Sequence, residues 1–125
     1  MSHYQFTHVD LSASRVELHD TLALTGAEIS YNQLPAGASV PFVHKHNQNE
    51  EIYVVLDGEG KLYLDGEERP LQAGDCFRVD PAVERCISAT EDRPLRFLCV
   101  QVKAGSLDGF TMSDASLTDS KPSWL

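Results

Sequence analysis

Two histidines and a carboxylate are spaced closely enough in this sequence to bind one metal ion. His44 and His46 are two positions apart, so on an extended strand both side chains project to the same face. Glu51 follows five residues after His46, and Glu50 competes with it for the role of carboxylate ligand. Two imidazoles and a carboxylate suit Fe(II), Mn or Ni with open coordination positions, and they can also bind Zn. The spacing therefore predicts a divalent metal site at His44, His46 and Glu51, although the two histidines would also suit the polar lining of a pocket.

The elements that must position these side chains are predicted to be short strands. Runs of apolar, β-branched and aromatic residues alternate with Gly, Pro, Asp and Asn at intervals of about ten residues, which is typical of sandwiches and barrels. Asp65-Gly66 predicts a hairpin turn, and a second turn is expected over 57–60. No long segment repeats its apolar residues with a helical period, so the predicted fold class is all-β. The clearest strand candidates are 15–24, 27–34, 40–46, 51–56, 61–64, 76–79, 85–89 and 95–102.

The metal-ligand candidates lie within a motif that resembles the first motif of the small, single-domain cupins. That motif consists of a glycine, a spacer, His-x-His, a glutamate a few residues on and a second glycine; here its positions are Gly37, His44, His46, Glu51 and Gly58. The resemblance covers roughly residues 25 to 103. It implies an antiparallel, double-sheet jelly-roll barrel that holds a metal ion on His44, His46 and Glu51.

The second cupin motif is degenerate in this chain. Gly74 and the turn at 80–82 match it, but Arg85 stands where the motif would place its metal-binding histidine. A guanidinium has no lone pair to give a metal and stays charged, so Arg85 cannot be a ligand. Two outcomes are open. Either Arg85 swings away or faces an anionic substrate at the metal, or it neutralises Glu51 in a site without metal.

Three functions are compatible with these residues. The first is a metal-dependent enzyme of the dioxygenase, isomerase or lyase type, in which Arg85 pairs with the carboxylate of a small anionic metabolite. Tyr53 is a second catalytic candidate, for contact with substrate, while its alternative role is that of a core aromatic with one hydrogen-bond partner. The second function is a metal-free binding or sensing module in which Arg85 replaces the metal. The third is a structural dimer with a vestigial pocket.

Three further side chains are weaker candidates for the site. Gln33 and Gln101 lie on strands that flank the predicted pocket, and either amide would suit its lining or the surface. Cys86 is adjacent to Arg85 and is the most interesting of three widely spaced cysteines, which contain no C-x-x-C pair. Such cysteines predict neither a disulfide framework nor a thiolate zinc site, and buried thiols are the simpler interpretation.

The charge of the chain limits the classes of partner. Ten Lys and Arg against nineteen Asp and Glu give a net charge of −9, which argues against binding to nucleic acid or to an anionic membrane surface. No apolar run is long enough to span a membrane, and residues 1–10 lack the layout of a secretion signal, so we expect a cytoplasmic protein. The partner we expect is a small molecule, and an anionic one, because the predicted pocket contains Arg85 and two histidines.

At 125 residues the chain is expected to form a single domain. Residues 1–24 are expected to form an N-terminal arm with strands, 25–103 the barrel, and 104–125 a polar C-terminal tail. We expect this tail to dock on a barrel mouth or a second subunit, because it carries spaced apolar residues. The resemblance to small cupins implies a homodimer. The apolar residues of the tail are Leu107, Phe110, Met112, Leu117 and Trp124.

Overall fold

The protein is built almost entirely from antiparallel strands, as expected from its sequence. A computed structural model describes residues 3–125; Met1 and Ser2, the first residues of the predicted arm, lie outside the described part. The elements in chain order are β1 Arg15–Glu17, α1 His19–Leu22, β2 Glu28–Leu34, β3 Asn49–Leu64, β4 Glu67–Gln72, β5 Cys76–Val79, β6 Arg85–Ala89, β7 Leu95–Lys103 and a 3-10 turn at Met112–Asp114.

The long strand β3 connects the two halves of the fold. Its first half pairs with β5 and β7, and its second half pairs with β4 and β6. A register shift between Val55 and Asp57 bends the strand between these halves. On the far side of β7 the sheet continues through β2 to β1, giving the order β1-β2-β7-β3-β4. The predicted all-β, antiparallel barrel is thereby confirmed.

The bend in β3 corrects one expectation about turns. The sequence predicted two strands, 51–56 and 61–64, with a turn between them, whereas the structure has one continuous strand. Gly58, at φ +93°, lies in the bent section, and a Cβ there would collide with the carbonyl oxygen of Pro94. The glycine therefore allows close approach of two strands rather than a chain reversal. The hairpin turn at Asp65-Gly66 is confirmed, with both residues at positive φ.

Two other predicted strands are wrong. In the run 15–24 the strand ends at Glu17, and the short helix α1 follows. The side chain of Glu28 accepts hydrogen bonds from the backbone N–H groups of Leu18 and His19, where the helix begins. The segment 40–46 forms no regular strand; isolated bridges join it and Ser39 to β6. Pro41 within this segment has no N–H group for a strand ladder.

The strand β4 was absent from the sequence-based expectation. Its acidic start, Glu67 and Glu68, directly follows the Asp65-Gly66 turn, and Pro70 discourages a strand assignment. The structure places all of these residues on β4, with their side chains exposed. Leu71 is the one buried residue of this strand, so β4 lacks the alternation of apolar and polar residues by which strands are recognised in a sequence.

The apolar core fills the barrel beside the predicted site. It is formed by nine buried residues, on which partly buried neighbours such as Phe77 and Cys99 pack. Tyr53 belongs to this core and stacks on Phe77, with ring centroids 4.9 Å apart. The nine core residues are Tyr53, Val55, Leu62, Leu71, Val79, Ile87, Ala89, Leu95 and Phe97.

The C-terminal tail leaves its apolar side chains exposed on the single chain. Residues 104–125 contain the 3-10 turn and otherwise no regular element, and Phe110, Leu117 and Trp124 are each at least 80% exposed. Docking of this tail on a second subunit stays a prediction. Among the helices formed by residues 3–125, none combines the length and apolar character that crossing a bilayer requires.

Candidate metal centre

One cavity brings together the three predicted metal ligands and the two catalytic candidates. Its volume is about 510 Å³. His44, His46, Glu51, Tyr53 and Arg85 all line it. The remainder of its wall is largely apolar, which is typical of a small-molecule site with a few convergent polar groups.

Backbone pairing fixes the positions of these side chains. Glu51 lies near the start of β3, with alternate residues of the strand facing the barrel interior. The backbone N–H of His44 donates to the carbonyl of Arg85 at 3.2 Å, and the N–H of Arg85 donates back to His44 at 3.0 Å. The N–H of His46 donates to the carbonyl of Pro81 at 2.8 Å. The irregular segment 40–46 is thus held against β6 and the turn before it, so the histidines need no strand of their own.

His44, His46 and Glu51 form a group with metal-ligand geometry. Their candidate ligand atoms all lie within 4.8 Å of one another. His44 Nε2 is 3.8 Å from Glu51 Oε1, and His46 Nε2 is 3.3 Å from Glu51 Oε2. His46 Nε2 is buried without a hydrogen-bond partner among residues 3–125, which is costly for a polar atom unless something outside the chain binds it. The residues present therefore fit a divalent metal ion held by two imidazoles and a carboxylate.

The carboxylate of Glu51 is the most constrained group in the cavity. The hydroxyl of Tyr53 donates to Oε1 at 2.8 Å, and the thiol of Cys99 donates to Oε2 at 3.3 Å. Arg85 Nη1 lies 3.4 Å from Oε1. Oε1 thus faces both Arg85 and His44, while Oε2 faces His46, so the guanidinium lies directly beside the metal-ligand group.

Arg85 does not swing away from the site, because its guanidinium lies beside Glu51. Arg85 is 1% exposed, the lowest exposure of any charged residue in the described chain. Nη2 donates to the carbonyl of Asp80 at 2.6 Å. Nε and Nη1 have no hydrogen-bond partner within residues 3–125. The contact of Nη1 with Glu51 is an ion pair without hydrogen-bond geometry. The buried guanidinium therefore retains unused hydrogen-bonding capacity next to the cavity.

The cavity sets the protonation states of these groups. Burial alone would raise the pKa of Glu51, but hydrogen bonds from Tyr53 and Cys99, with the charges of His46 and Arg85, hold that pKa below its ordinary value. Burial lowers the pKa of His44, so its imidazole is neutral near pH 7. Burial, together with Glu51, raises the pKa of Cys99 to about 12 and raises that of Tyr53 also. A charged carboxylate and a neutral imidazole are the forms that bind metal.

The roles of some cavity residues were not predicted from the sequence. Cys99 was expected to be an ordinary buried thiol, whereas it contacts Glu51. Its pairing with Tyr53 across β7 and β3 is what brings it to the site. Cys86, the favoured cysteine, lines the cavity but donates to the carbonyl of Val40. Gln101 does line the cavity, with its amide oxygen bound by Asn49.

A second set of polar residues also lines the cavity and was not anticipated. It consists of Glu28, Ser30 and Asn32 on β2 and Arg15 on β1. Gln33, by contrast, points away from the cavity, because neighbouring residues of a strand face opposite sides. Since β2 and β1 contain no recognisable motif, no local pattern indicated that these side chains face the pocket.

The fold and this site define a β-barrel protein with an internal group of two histidines and a glutamate that could hold a metal. A family model described as a cupin domain matches residues 31–101, which is more than half of the chain. The chain belongs to the cupin family, and its barrel is the jelly roll implied by the first motif.

Known relatives support this assignment at several levels of similarity. A crystal structure of a cupin protein from Bacteroides fragilis is 58% identical, with a TM-score of 0.91, and the match covers 94% of this chain and 99% of that one. An oxalate-binding protein of Thermotoga maritima is 40% identical over 68 residues, which is 54% of this chain and 55% of that protein. A structure of a predicted oxalate decarboxylase from Thermotoga maritima is 36% identical, with a TM-score of 0.57 and coverage of 60% and 64%. The chain spans about half the length of the curated relatives it matches.

Proposed function

We propose that this protein binds a small anionic metabolite, a carboxylate, through a divalent metal ion held by His44, His46 and Glu51. The observation that carries the proposal is the convergence of these three ligand groups inside one cavity, with His46 Nε2 buried and unpartnered within the described chain. When bound, such an ion supplies Lewis acidity toward a ligand oxygen. The candidate metals are Fe, Mn, Ni and Zn.

The charges around the cavity favour an anion. Glu51 and Arg85 carry opposite charges at 3.4 Å, so they compensate each other, and His44 is neutral. A divalent cation at the site would then leave the cavity positive. Within a protein whose net charge is −9, a buried positive site selects an anion that the outer surface repels.

The relatives point to the same class of ligand. One Thermotoga maritima relative is named an oxalate-binding protein, and a second is described as a predicted oxalate decarboxylase. Oxalate is a small dicarboxylate, so a carboxylate ligand for this chain agrees with both descriptions.

Arg85 and Tyr53 have different roles in this proposal. Arg85 keeps Glu51 ionised and offers the bound anion its Nε and Nη1, which make no hydrogen bond within the described chain. Tyr53 was a candidate for substrate contact, but its hydroxyl donates to Glu51 and its raised pKa keeps the proton in place. We therefore assign Tyr53 as a positioning residue that holds the Glu51 carboxylate in one orientation.

The proposed function is tested by calorimetric titration of oxalate, malonate and succinate into protein loaded with Mn²⁺ and into protein stripped with a chelator. We expect binding to the loaded protein that weakens by at least about tenfold, or about 1.4 kcal/mol, after stripping. His46→Ala, which removes one ligand, should behave as stripped protein even with added Mn²⁺. Equal binding by loaded and stripped protein would contradict the role of the metal.

A metal-free binding site is the second candidate function, and the contact between Arg85 and Glu51 favours it. In that case the buried guanidinium supplies the positive charge that a metal ion would otherwise supply, and the histidines donate hydrogen bonds to the ligand. The same titration separates the two candidates. Binding that survives the chelator and is abolished by Arg85→Gln would support the metal-free site.

We also propose that the chain forms a homodimer in which the terminal segments cover the partner. The chain exposes 9126 Å², whereas a compact monomer of 13.8 kDa exposes about 6,600 Å². The excess is about 2,500 Å² per chain, or about 5,000 Å² for two chains, which is at the upper end of the range that obligate homodimers bury. Nine of the twelve large apolar residues that are exposed in the described chain lie before β1 or after β7, which places the excess in the terminal segments.

The dimer is tested by light scattering coupled to size-exclusion chromatography. We expect the mass of two chains for the wild type and a shift toward one chain for the double variant F110S/W124S. A monomeric wild type at tens of micromolar would overturn the proposal.

A further inference from the structure

We propose that Arg15, with Asn32 and Ser30, forms a second subsite of the cavity, across β7 from Glu51 and the metal centre, where it binds a distal carboxylate of the ligand. The inference rests on the proposed function and deepens it, because it makes the ligand a dicarboxylate longer than oxalate. Arg15 is then a specificity-determining residue, and the metal centre binds the proximal carboxylate.

The distribution of buried polar residues carries the proposal. Four polar or charged residues of the described chain are buried, and all four line this cavity. Glu51 and Arg85 belong to the metal centre, whereas Ser30 and Asn32 lie on β2, away from it. Burial of polar side chains costs free energy, so a second polar cluster in a mostly apolar wall indicates a second place where the cavity meets a polar group. Glu28 also lines the cavity, but its Oε1 accepts hydrogen bonds from the backbone N–H groups of Leu18 and His19.

The strand register places the two clusters apart along the same inner wall. Ser30 pairs with Cys99 on β7, and Cys99 pairs with Tyr53 on β3. With strands about 5 Å apart, Ser30 lies roughly 10 Å from Tyr53. Asn32 shares the inward face of β2 with Ser30, and it pairs with Arg15 on β1 at the edge of the sheet. A ligand that touches both clusters must therefore extend across β7.

The second cluster is organised by hydrogen bonds. Arg15 Nη1 donates to Asn32 Oδ1 at 2.6 Å, and Asn32 Nδ2 donates to Ser30 Oγ at 2.9 Å. Arg15 Nε donates to Glu17 at 3.0 Å, but that ion pair is more than half exposed and contributes little free energy. A guanidinium held by Asn32 at one edge of the cavity can bind a carboxylate, for which its planar fork is suited.

The volume of the cavity agrees with a longer ligand. About 510 Å³ corresponds to the liquid volume of roughly 17 water molecules. Oxalate, the smallest dicarboxylate, would leave most of this space unfilled. A dicarboxylate with an apolar linker would match the apolar wall between the two polar clusters.

The experiment compares two acids of equal chain length, hexanoate and adipate, which differ in having one or two carboxylates. Calorimetric titration into Mn²⁺-loaded protein should give an affinity for adipate at least about tenfold higher than for hexanoate, and higher than for oxalate. Arg15→Met should reduce the ratio between adipate and hexanoate to near one, while the affinity for hexanoate stays unchanged. Arg93→Met is the matched control, because it removes an equally exposed cation that does not line the cavity.

The outcomes separate this inference from the proposed function. If both acids bind but Arg15→Met changes neither affinity, or lowers both equally, the second subsite is overturned and the metal-bound carboxylate stands. Tightest binding of oxalate, unaffected by Arg15→Met, would overturn it in the same way. If none of the three acids binds to the loaded protein, both the proposed function and this inference fail. If Arg93→Met reduced the ratio of the affinities for adipate and hexanoate as much as Arg15→Met does, the effect would be due to net charge, and the role of Arg15 would be overturned.

Discussion

Arg85 Nη1 lies 3.4 Å from Glu51 Oε1, and both residues are at least 96% buried. A guanidinium therefore stands where cupins with an intact second motif would have a histidine, in contact with the carboxylate of the candidate metal centre. At this separation two unit charges attract by roughly 5 kcal/mol at an effective dielectric of 20, before desolvation is subtracted. The same charge repels a nearby dication, so Arg85 both keeps Glu51 ionised and limits the affinity for metal.

Replacing Arg85 with histidine should raise the affinity for a divalent metal by at least about tenfold. The change removes a buried positive charge next to Glu51 and adds an imidazole at the position of the missing fourth ligand. The metal-free variant should be less stable than the wild type by about 3 kcal/mol, because Glu51 loses its buried partner. Competition with a fluorescent chelator measures the affinity, and urea unfolding with and without Zn²⁺ measures the stability.

Arg85→Gln is the control that separates charge from ligation. It removes the cation without supplying a strong ligand, so its affinity should lie between those of the wild type and Arg85→His. If all three proteins bind metal equally, then Arg85 does not set the affinity of the site.

The three cysteines should differ sharply in their reactivity. The pKa of Cys99 is raised to about 12 by burial and by Glu51, so at pH 8 it is almost entirely the unreactive thiol. Cys76 is exposed. With Ellman's reagent on native protein we expect a fast phase that Cys76→Ser removes and Cys99→Ser leaves unchanged. The reverse assignment of the fast phase would show that Cys99 is accessible and does not hold its proton on Glu51.

Gly58→Ala should destabilise the barrel by about 2 kcal/mol or more. The residue has φ +93°, and an added Cβ would collide with the carbonyl of Pro94. Gly26→Ala is the matched control, because a Cβ there meets no atom within 4 Å and its φ lies outside the left-handed region. Urea unfolding should give a change below about 0.5 kcal/mol for this control. Equal losses in the two variants would mean that the approach of Gly58 to Pro94 is not what constrains the strand.

The stability of metal-free protein should decrease as the pH falls from 7 toward 5. The pKa of His44 is lowered in the folded state, so the unfolded chain takes up a proton first, near pH 6.5. The stability is therefore fully present above pH 6.5 and is lost as the pH falls toward the lowered pKa of folded His44. Glu51, whose pKa is also lowered, adds a further loss below about pH 4.5.

Urea unfolding at several pH values, compared with His44→Gln, measures this dependence. The variant should lose less stability between pH 7 and pH 5 than the wild type, because it lacks the histidine that the fold keeps neutral. Identical pH profiles would show that the fold does not disfavour protonation of His44.

The metal-ligand candidates were predictable because they depend on local spacing. His44, His46 and Glu51 lie within one short segment, and the structure brings their ligand atoms together even though 40–46 is not a strand. What positions the histidines is pairing with Arg85 and with Pro81, which are distant in sequence. Local alternation could not reveal that arrangement.

The far side of the cavity could not be predicted for a related reason. Arg15, Asn32 and Ser30 reach the cavity through the order β1-β2-β7, which depends on long-range pairing of strands. In β3, the sequence Asp57-Gly58 indicates a turn by its residue types, but pairing with β7 on one side and β6 on the other keeps the strand continuous. Tertiary pairing thus overrides the local turn preference.

The metal centre is tested most directly by metal analysis by mass spectrometry of protein purified without an affinity tag, for the wild type and for His46→Ala. We expect about one divalent ion per chain in the wild type and a stoichiometry near zero in His46→Ala, with both proteins folded by circular dichroism. Absence of metal from both, with none taken up after incubation with Mn²⁺, Fe²⁺, Ni²⁺ or Zn²⁺, would contradict this expectation.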